Sequence, residues 1–155
     1  MRPSPFILII PVLLTLALAL TGCRGNRGCT DPEAVNYDPY AERDDRSCEY
    51  EGSLVFWFGQ TASEALVDDG AISLTYWLDG ELVGSSATSV YWSGPPECGA
   101  NASVTVNKNI GRRKSAIYRF EVIDQDDWIY WSGDIEIAAN ICMQLQLLWS
   151  ERKKK

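Results

Sequence analysis

Ile72-Ser73-Leu74-Thr75-Tyr76-Trp77-Leu78-Asp79-Gly80-Glu81-Leu82-Val83 decides the fold. Ile72, Leu74, Tyr76 and Leu78 alternate with Ser73, Thr75 and Trp77, a period of two that puts one set on each face of a strand. Asp79-Gly80 then suits the positive backbone angles of a tight turn, so the stretch predicts a β-hairpin. No part of the chain after Gly52 sustains a helical period, although one or two helical turns fit within 61–68.

Outward from the hairpin the same period continues. Leu54-Val55-Phe56-Trp57-Phe58 is an uninterrupted apolar run, as expected of a strand in the middle of a sheet. Val104 and Val106 alternate with Ser103 and Thr105, and Ile135 and Ile137 with Asp134 and Glu136. Ala116, Tyr118, Phe120 and Val122 oppose Arg119 and Glu121, and Met143, Leu145, Leu147 and Trp149 oppose Cys142, Gln144 and Gln146. This run of short strands predicts an all-β domain, a small antiparallel β-sandwich over residues 52–150. Tyr91-Trp92-Ser93-Gly94 recurs as Tyr130-Trp131-Ser132-Gly133, an echo that two strands ending in the same kind of turn would explain as well as a duplication.

There are five cysteines, at 23, 29, 48, 98 and 142. An odd count in an exported chain leaves one thiol to account for. Of the three ways to pair the last four, chain order favours Cys29–Cys48 and Cys98–Cys142, with loop-closure terms of about 3 and about 4 kcal/mol. Zinc would be the competing use, but the chain has no histidine and no Cys-x-x-Cys. The second bridge would tie the Gly94-Pro95-Pro96-Glu97 loop to the start of the last strand and pin its register.

The remaining cysteine ends the N-terminal segment. Arg2, an apolar run from Phe6 to Leu20 broken only by Pro11 and Thr15, and small residues at Thr21-Gly22 follow the order of a secretory signal. The run contains a proline and falls short of the ~20 apolar residues of a membrane span. Leu20-Thr21-Gly22-Cys23 resembles the lipobox of bacterial lipoproteins. The resemblance implies that residues 1–22 are removed and that Cys23 takes a diacylglycerol thioether, usually with a further acyl chain. Two or more chains hold firmly, at about 0.8 kcal/mol per buried methylene. Arg24 is not the aspartate of inner-membrane retention, so the resemblance points to the outer membrane, on its periplasmic or surface face.

Removing residues 1–22 takes Arg2 from the 14 basic residues, leaves all 21 acids, and gives a net charge of −8. An acidic surface repels phosphate backbones and anionic lipid, so nucleic acid is not an expected partner. The exception is the basic tail, residues 151–155, where Arg152-Lys153-Lys154-Lys155 reads as a solvated end or a weak contact with anionic headgroups.

Between a linker at 23–28 and the sandwich lies a second unit, residues 29–50. With few aliphatic residues it cannot build a core, so a disulfide has to hold it. Asp31-Pro32 and Asp38-Pro39 are turn starters. The segment resembles a short repeat of exported proteins from Bacteroidota-type bacteria. Cys29, Thr30, Asp31, Ala34, Asn36, Tyr37, Asp38, Pro39, Ala41, Asp44, Asp45, Ser47 and Cys48 match that pattern. Arg46 departs from it, since the repeat has glycine there, which puts a left-handed turn in question. The resemblance implies an extracytoplasmic spacer or module. Asp31, Asn36, Asp38, Asp44 and Asp45 offer hard oxygen ligands for calcium, but not at EF-hand spacing, and turn caps are the other reading. The order of elements in the sandwich is similar to lipoprotein sandwiches that follow this repeat, and to transthyretin-like and PEGA-type modules.

Without histidine there is no Ser-His-Asp or Cys-His pair, and no glycine-rich phosphate loop follows a strand. The carboxylate pairs Asp68-Asp69 and Asp126-Asp127 fall in expected turns. No enzyme activity is expected, and no cofactor beyond the covalent lipid and the calcium question. Six tryptophans and seven tyrosines are many for this length. Trp57, Trp77, Trp92 and Trp131 are either core or a contact surface for a glycan or protein. The expectation is a non-catalytic envelope lipoprotein in a structural or accessory role. The alternative is a ligand-binding or inhibitory lipoprotein that contacts a glycan or an enzyme through these aromatics or the Pro95-Pro96 loop.

Overall fold

A computed structural model describes residues 25–152; the signal segment with Cys23, and Lys153, Lys154 and Lys155 of the tail, lie outside the described residues. The elements in chain order are β1 (Arg27–Gly28), β2 (Arg43–Asp44), β3 (Tyr50–Trp57), α1 (Gln60–Asp68), β4 (Ser73–Leu78), β5 (Glu81–Ala87), β6 (Val104–Gly111), β7 (Ser115–Asp124), β8 (Ile129–Ala138) and β9 (Cys142–Gln146). A 3-10 turn follows at Trp149–Glu151. The strands form a small sheet β1-β2, a three-stranded sheet β6-β3-β9 and a four-stranded sheet β5-β4-β7-β8.

The two larger sheets face each other through the alternating apolar sets. Phe56 on the central strand of one meets Tyr76 and Phe120 on the other, with ring centroids 5.1 and 6.1 Å apart. Leu54, Leu74, Leu78, Val104, Val106, Val122 and Ile137 fill the same core. The phenol of Tyr76 is pushed up to about 12 by burial and keeps one hydrogen bond, to Ser86 Oγ at 2.9 Å. Ile72 falls just before β4 and is exposed, so the inward set begins at Leu74. Asp79 and Gly80 both take positive φ, 48° and 76°, as the hairpin turn requires.

Among the described residues two strand pairs are parallel, the short β1-β2 pair and β3-β9. β8 ends at Ala138 beside the start of β3, and the chain crosses to the other sheet within three residues, through Asn140 N–H to Glu51 O and Ser53 N–H to Ile141 O. β9 therefore begins where β3 begins and runs with it, Ser53 opposite Cys142 through Trp57 opposite Gln146. Two glycines let the sheets approach closely. A Cβ on Gly84 would lie 2.6 Å from Val104 Cγ1, and one on Gly52 would overlap the Ala138 carbonyl and lie 2.7 Å from Ile137 Cγ2.

The loop 88–103 folds over the outer face of β6-β3-β9. The Cys98–Cys142 disulfide pins it, Gln144 Nε2 donates to Pro96 O at 3.0 Å, and Trp92 N–H donates to Phe58 O. This explains why Val55 is buried although it faces away from Leu54 and Phe56. It also corrects the echo: Tyr91-Trp92-Ser93-Gly94 lies in this loop, whereas Tyr130-Trp131-Ser132-Gly133 lies inside β8.

The N-terminal unit is closed by Cys29–Cys48, the pairing that chain order favoured. Cys29 and Ala34 are its only buried apolar residues before Tyr50, and they join the apolar cluster of the sandwich. Arg46 takes the left-handed turn that glycine would favour, with φ 65°. Among the described residues no helix is long and apolar enough to cross a membrane.

Candidate binding surface

The four candidate tryptophans separate into distinct environments. Trp57 and Trp131, expected as possible surface residues, belong to the interior, 9% and 4% exposed. Trp57 lies under the 88–103 loop, beside Trp92, around a cavity of about 10 Å³. Trp131 donates its Nε1–H to Leu148 O at 2.8 Å and packs against Tyr130 at 5.7 Å, so the C-terminal turn covers it. Trp92 is half-buried within the pinned loop. Trp77 is half-buried too, but its strand places it on the outer face of β5-β4-β7-β8.

That face is built by register. Trp77 stands between Leu82 of β5 and Glu121 of β7, and Glu121 in turn lies opposite Ser132 of β8. The next row is Ser85, Thr75, Ile123 and Ile129. A bulge at Val83 turns Val83 toward the core and leaves Leu82 exposed beside the indole. Trp77 Nε1–H donates to Thr75 Oγ1 at 3.2 Å, which orients the ring. Arg119 reaches Glu121 at 3.9 Å and Asp134 at 4.0 Å on the same face. An indole flanked by an aliphatic side chain, carboxylates and hydroxyls can stack on a sugar ring or seat a protein side chain. A second recess, about 410 Å³ and open, lies between Gln60-Thr61 and Gln146–Ser150, where the Arg152 guanidinium sits 3.7 Å over the Trp149 ring.

Most acids of the N-terminal unit are engaged. Asp31 accepts from Glu33 N–H at 3.0 Å and Tyr50 Oη–H at 2.7 Å and pairs with Lys114 at 2.9 Å. The Lys114 ammonium, then the Glu33 amide and the Tyr50 hydroxyl, hold its carboxyl down to about 2. Lys114 is pushed up by Glu33 and Asp31, and the Tyr50 phenol by Asp31. With Asn140 Nδ2–H donating to Glu33 O at 2.8 Å, this cluster fastens the unit to the β6–β7 and β8–β9 turns. Asp38, Asp44 and Asp45 each accept the N–H two residues on, from Tyr40, Arg46 and Ser47. The Ser47 hydroxyl and amide hold the Asp45 carboxyl below its ordinary range. Asn36 bridges Ser47 O and Glu49 N–H. Among the described residues no three His, Cys, Asp or Glu side chains gather as a metal group.

Of the carboxylate pairs, Asp68-Asp69 lies at the end of α1, where Asp68 is the last helical residue, rather than in the expected turn. Asp69 caps the end of α1 and accepts from Tyr130 Oη–H at 2.6 Å, while Asp126 and Asp127 lie in the β7–β8 turn. Compared with known proteins, the chain matches no family model, no curated protein and no solved structure. Two features were not legible beforehand. The Lys114 clamp joins residues far apart in the chain, and Val35, Tyr37 and Tyr40 are exposed within the acidic unit.

Proposed function

We propose that this chain is a non-catalytic lipoprotein of the bacterial cell envelope, a disulfide-stapled β module held on the outer membrane by lipid on Cys23, in a structural or accessory role. The observation that carries this reading is the cysteine pairing. Four of the five cysteines are closed in two bridges, which leaves Cys23, after Leu20-Thr21-Gly22, as the one thiol for a lipid. Growth of an expressing bacterium with alkyne-palmitate tests it. The wild-type chain takes the label and Cys23→Ala does not; an unlabelled wild type sinks the reading.

A second reading is supported by the placement of Trp77 on an uncovered sheet face beside Leu82 and Glu121. In it the anchored module binds a glycan or an enzyme through that face. Glycan-array binding lost on Trp77→Ala, with an unchanged melting temperature, favours this second reading. Binding that survives the substitution removes Trp77 from it.

A further inference from the structure

The chain leaves the described structure toward Cys23 beside residues 38–43 of the N-terminal unit. Asn26 ties that exit to residues 38–43. Its side-chain amide donates to Asp38 Oδ2 at 3.3 Å, and its carbonyl accepts from Glu42 N–H at 2.9 Å and Arg43 N–H at 3.3 Å. On and next to this segment stand Tyr37 and Tyr40, 43% and 82% exposed, and Tyr40 is the most exposed large apolar side chain among the described residues; Val35, 52% exposed, lies beside Ile141 instead. None of the three serves the unit's interior, which Cys29 and Ala34 fill. Arg27 and Arg43, both exposed, are direct neighbours in the β1-β2 register.

The reach from the anchor is short. An extended chain covers at most about 3.5 Å per residue, so the three steps from Cys23 to Asn26 allow only about 10 Å. A cysteine whose acyl chains sit in a bilayer therefore holds this unit against the headgroup layer.

We propose that the unit of residues 25–50 docks on the phospholipid headgroups of the bilayer that holds Cys23, with Tyr37 and Tyr40 at headgroup depth and Arg27 and Arg43 on lipid phosphates. This rests on the lipid-anchor reading. Tyrosine suits that layer because its ring is apolar and its hydroxyl is wet. A guanidinium matches phosphate oxygens in a two-pronged way that an ammonium does not. The unit carries seven acids against three arginines, and among them only Asp31 and Glu33 pair with a cation, Lys114, so the docking draws on the tyrosines and on zwitterionic headgroups rather than on anionic ones.

The test is photolabelling of the purified full-length lipoprotein in vesicles of phosphatidylethanolamine and phosphatidylglycerol that carry a headgroup diazirine lipid. Adducts are expected on peptides covering 35–46 at about fivefold or more over peptides of β4–β8, and to fall several-fold in a Tyr37→Ser, Tyr40→Ser chain of unchanged melting temperature. Adducts spread evenly, concentrated on the Trp77 face or on the basic tail, or indifferent to the double substitution overturn the proposal. So does a unit that stays unlabelled, which would mean that it faces a protein or a second copy. Intact mass separates the two failures. Cys23 without lipid sinks the anchor and the docking together, whereas lipidated Cys23 with adducts elsewhere sinks the docking alone.

Discussion

Tyr50 donates its phenolic hydrogen to Asp31 Oδ2 at 2.7 Å, which joins the first residue of the sandwich's central strand to the first turn of the disulfide unit. Lys114 completes the arrangement from the β6–β7 turn, with its Nζ 5.5 Å above the Tyr50 ring. The small unit is therefore fastened by charge and hydrogen bonding as well as by the apolar cluster.

That fastening has a pH signature. Asp31 is held down from 3.8 to about 2, so its contribution to stability is present above pH 4 and is lost as the pH falls toward 2. Asp31→Asn removes it at every pH. The melting-temperature gap between wild type and Asp31→Asn should be widest at neutral pH and close over that acid window. A gap that stays constant from pH 7 to pH 2 would contradict the assignment.

Gly52 has no space for a side chain, because its Cβ would collide with the backbone of β8. Gly52→Ala should destabilise the domain by about 1–3 kcal/mol, the usual cost of overpacking, in a urea titration. Gly94→Ala, with open space around it, is the control and should stay within about 0.5 kcal/mol.

Arg46 pays a conformational cost at φ 65° that glycine avoids. Arg46→Gly should raise stability by about 1 kcal/mol, measured by thermal or denaturant unfolding. A loss instead would mean that the exposed guanidinium makes a contribution larger than the backbone strain.

Opening the Cys98–Cys142 bridge with paired alanines should cost up to about 4 kcal/mol and loosen the loop over Trp57. Acrylamide quenching should rise for Trp57 and Trp92, and replacing each with phenylalanine in turn identifies the signal. Unchanged quenching with intact folding would show that the loop stays down without the bridge.

Much of the fold was legible in the sequence because period-two patterning survives wherever one face is buried. The alternation of Leu74, Tyr76 and Leu78, the Asp79-Gly80 turn and the two cysteine pairs all translate directly into the observed hairpin and bridges. Burial of the aromatics was not legible, since it depends on what lies over a face. Trp57 points away from the core like any outward strand residue, and only a disulfide-pinned loop distant in sequence hides it. The Tyr-Trp-Ser-Gly echo misled for a related reason: four identical residues become ladder or loop according to whether β7 or Cys98 claims them. The candidate surface was half legible, as Trp77 is placed by local alternation while its neighbours Leu82 and Glu121 come from register across three strands.

The parallel contact of β3 with β9 has a temporal consequence. The ribosome makes the central strand of the three-stranded sheet early and its second neighbour only after every other strand. Until Cys142 to Gln146 emerge, Leu54 to Trp57 keep one edge open and Cys98 has no partner. A polypeptide cut short before Cys142 therefore lacks both the second edge partner of the central strand and the partner of Cys98.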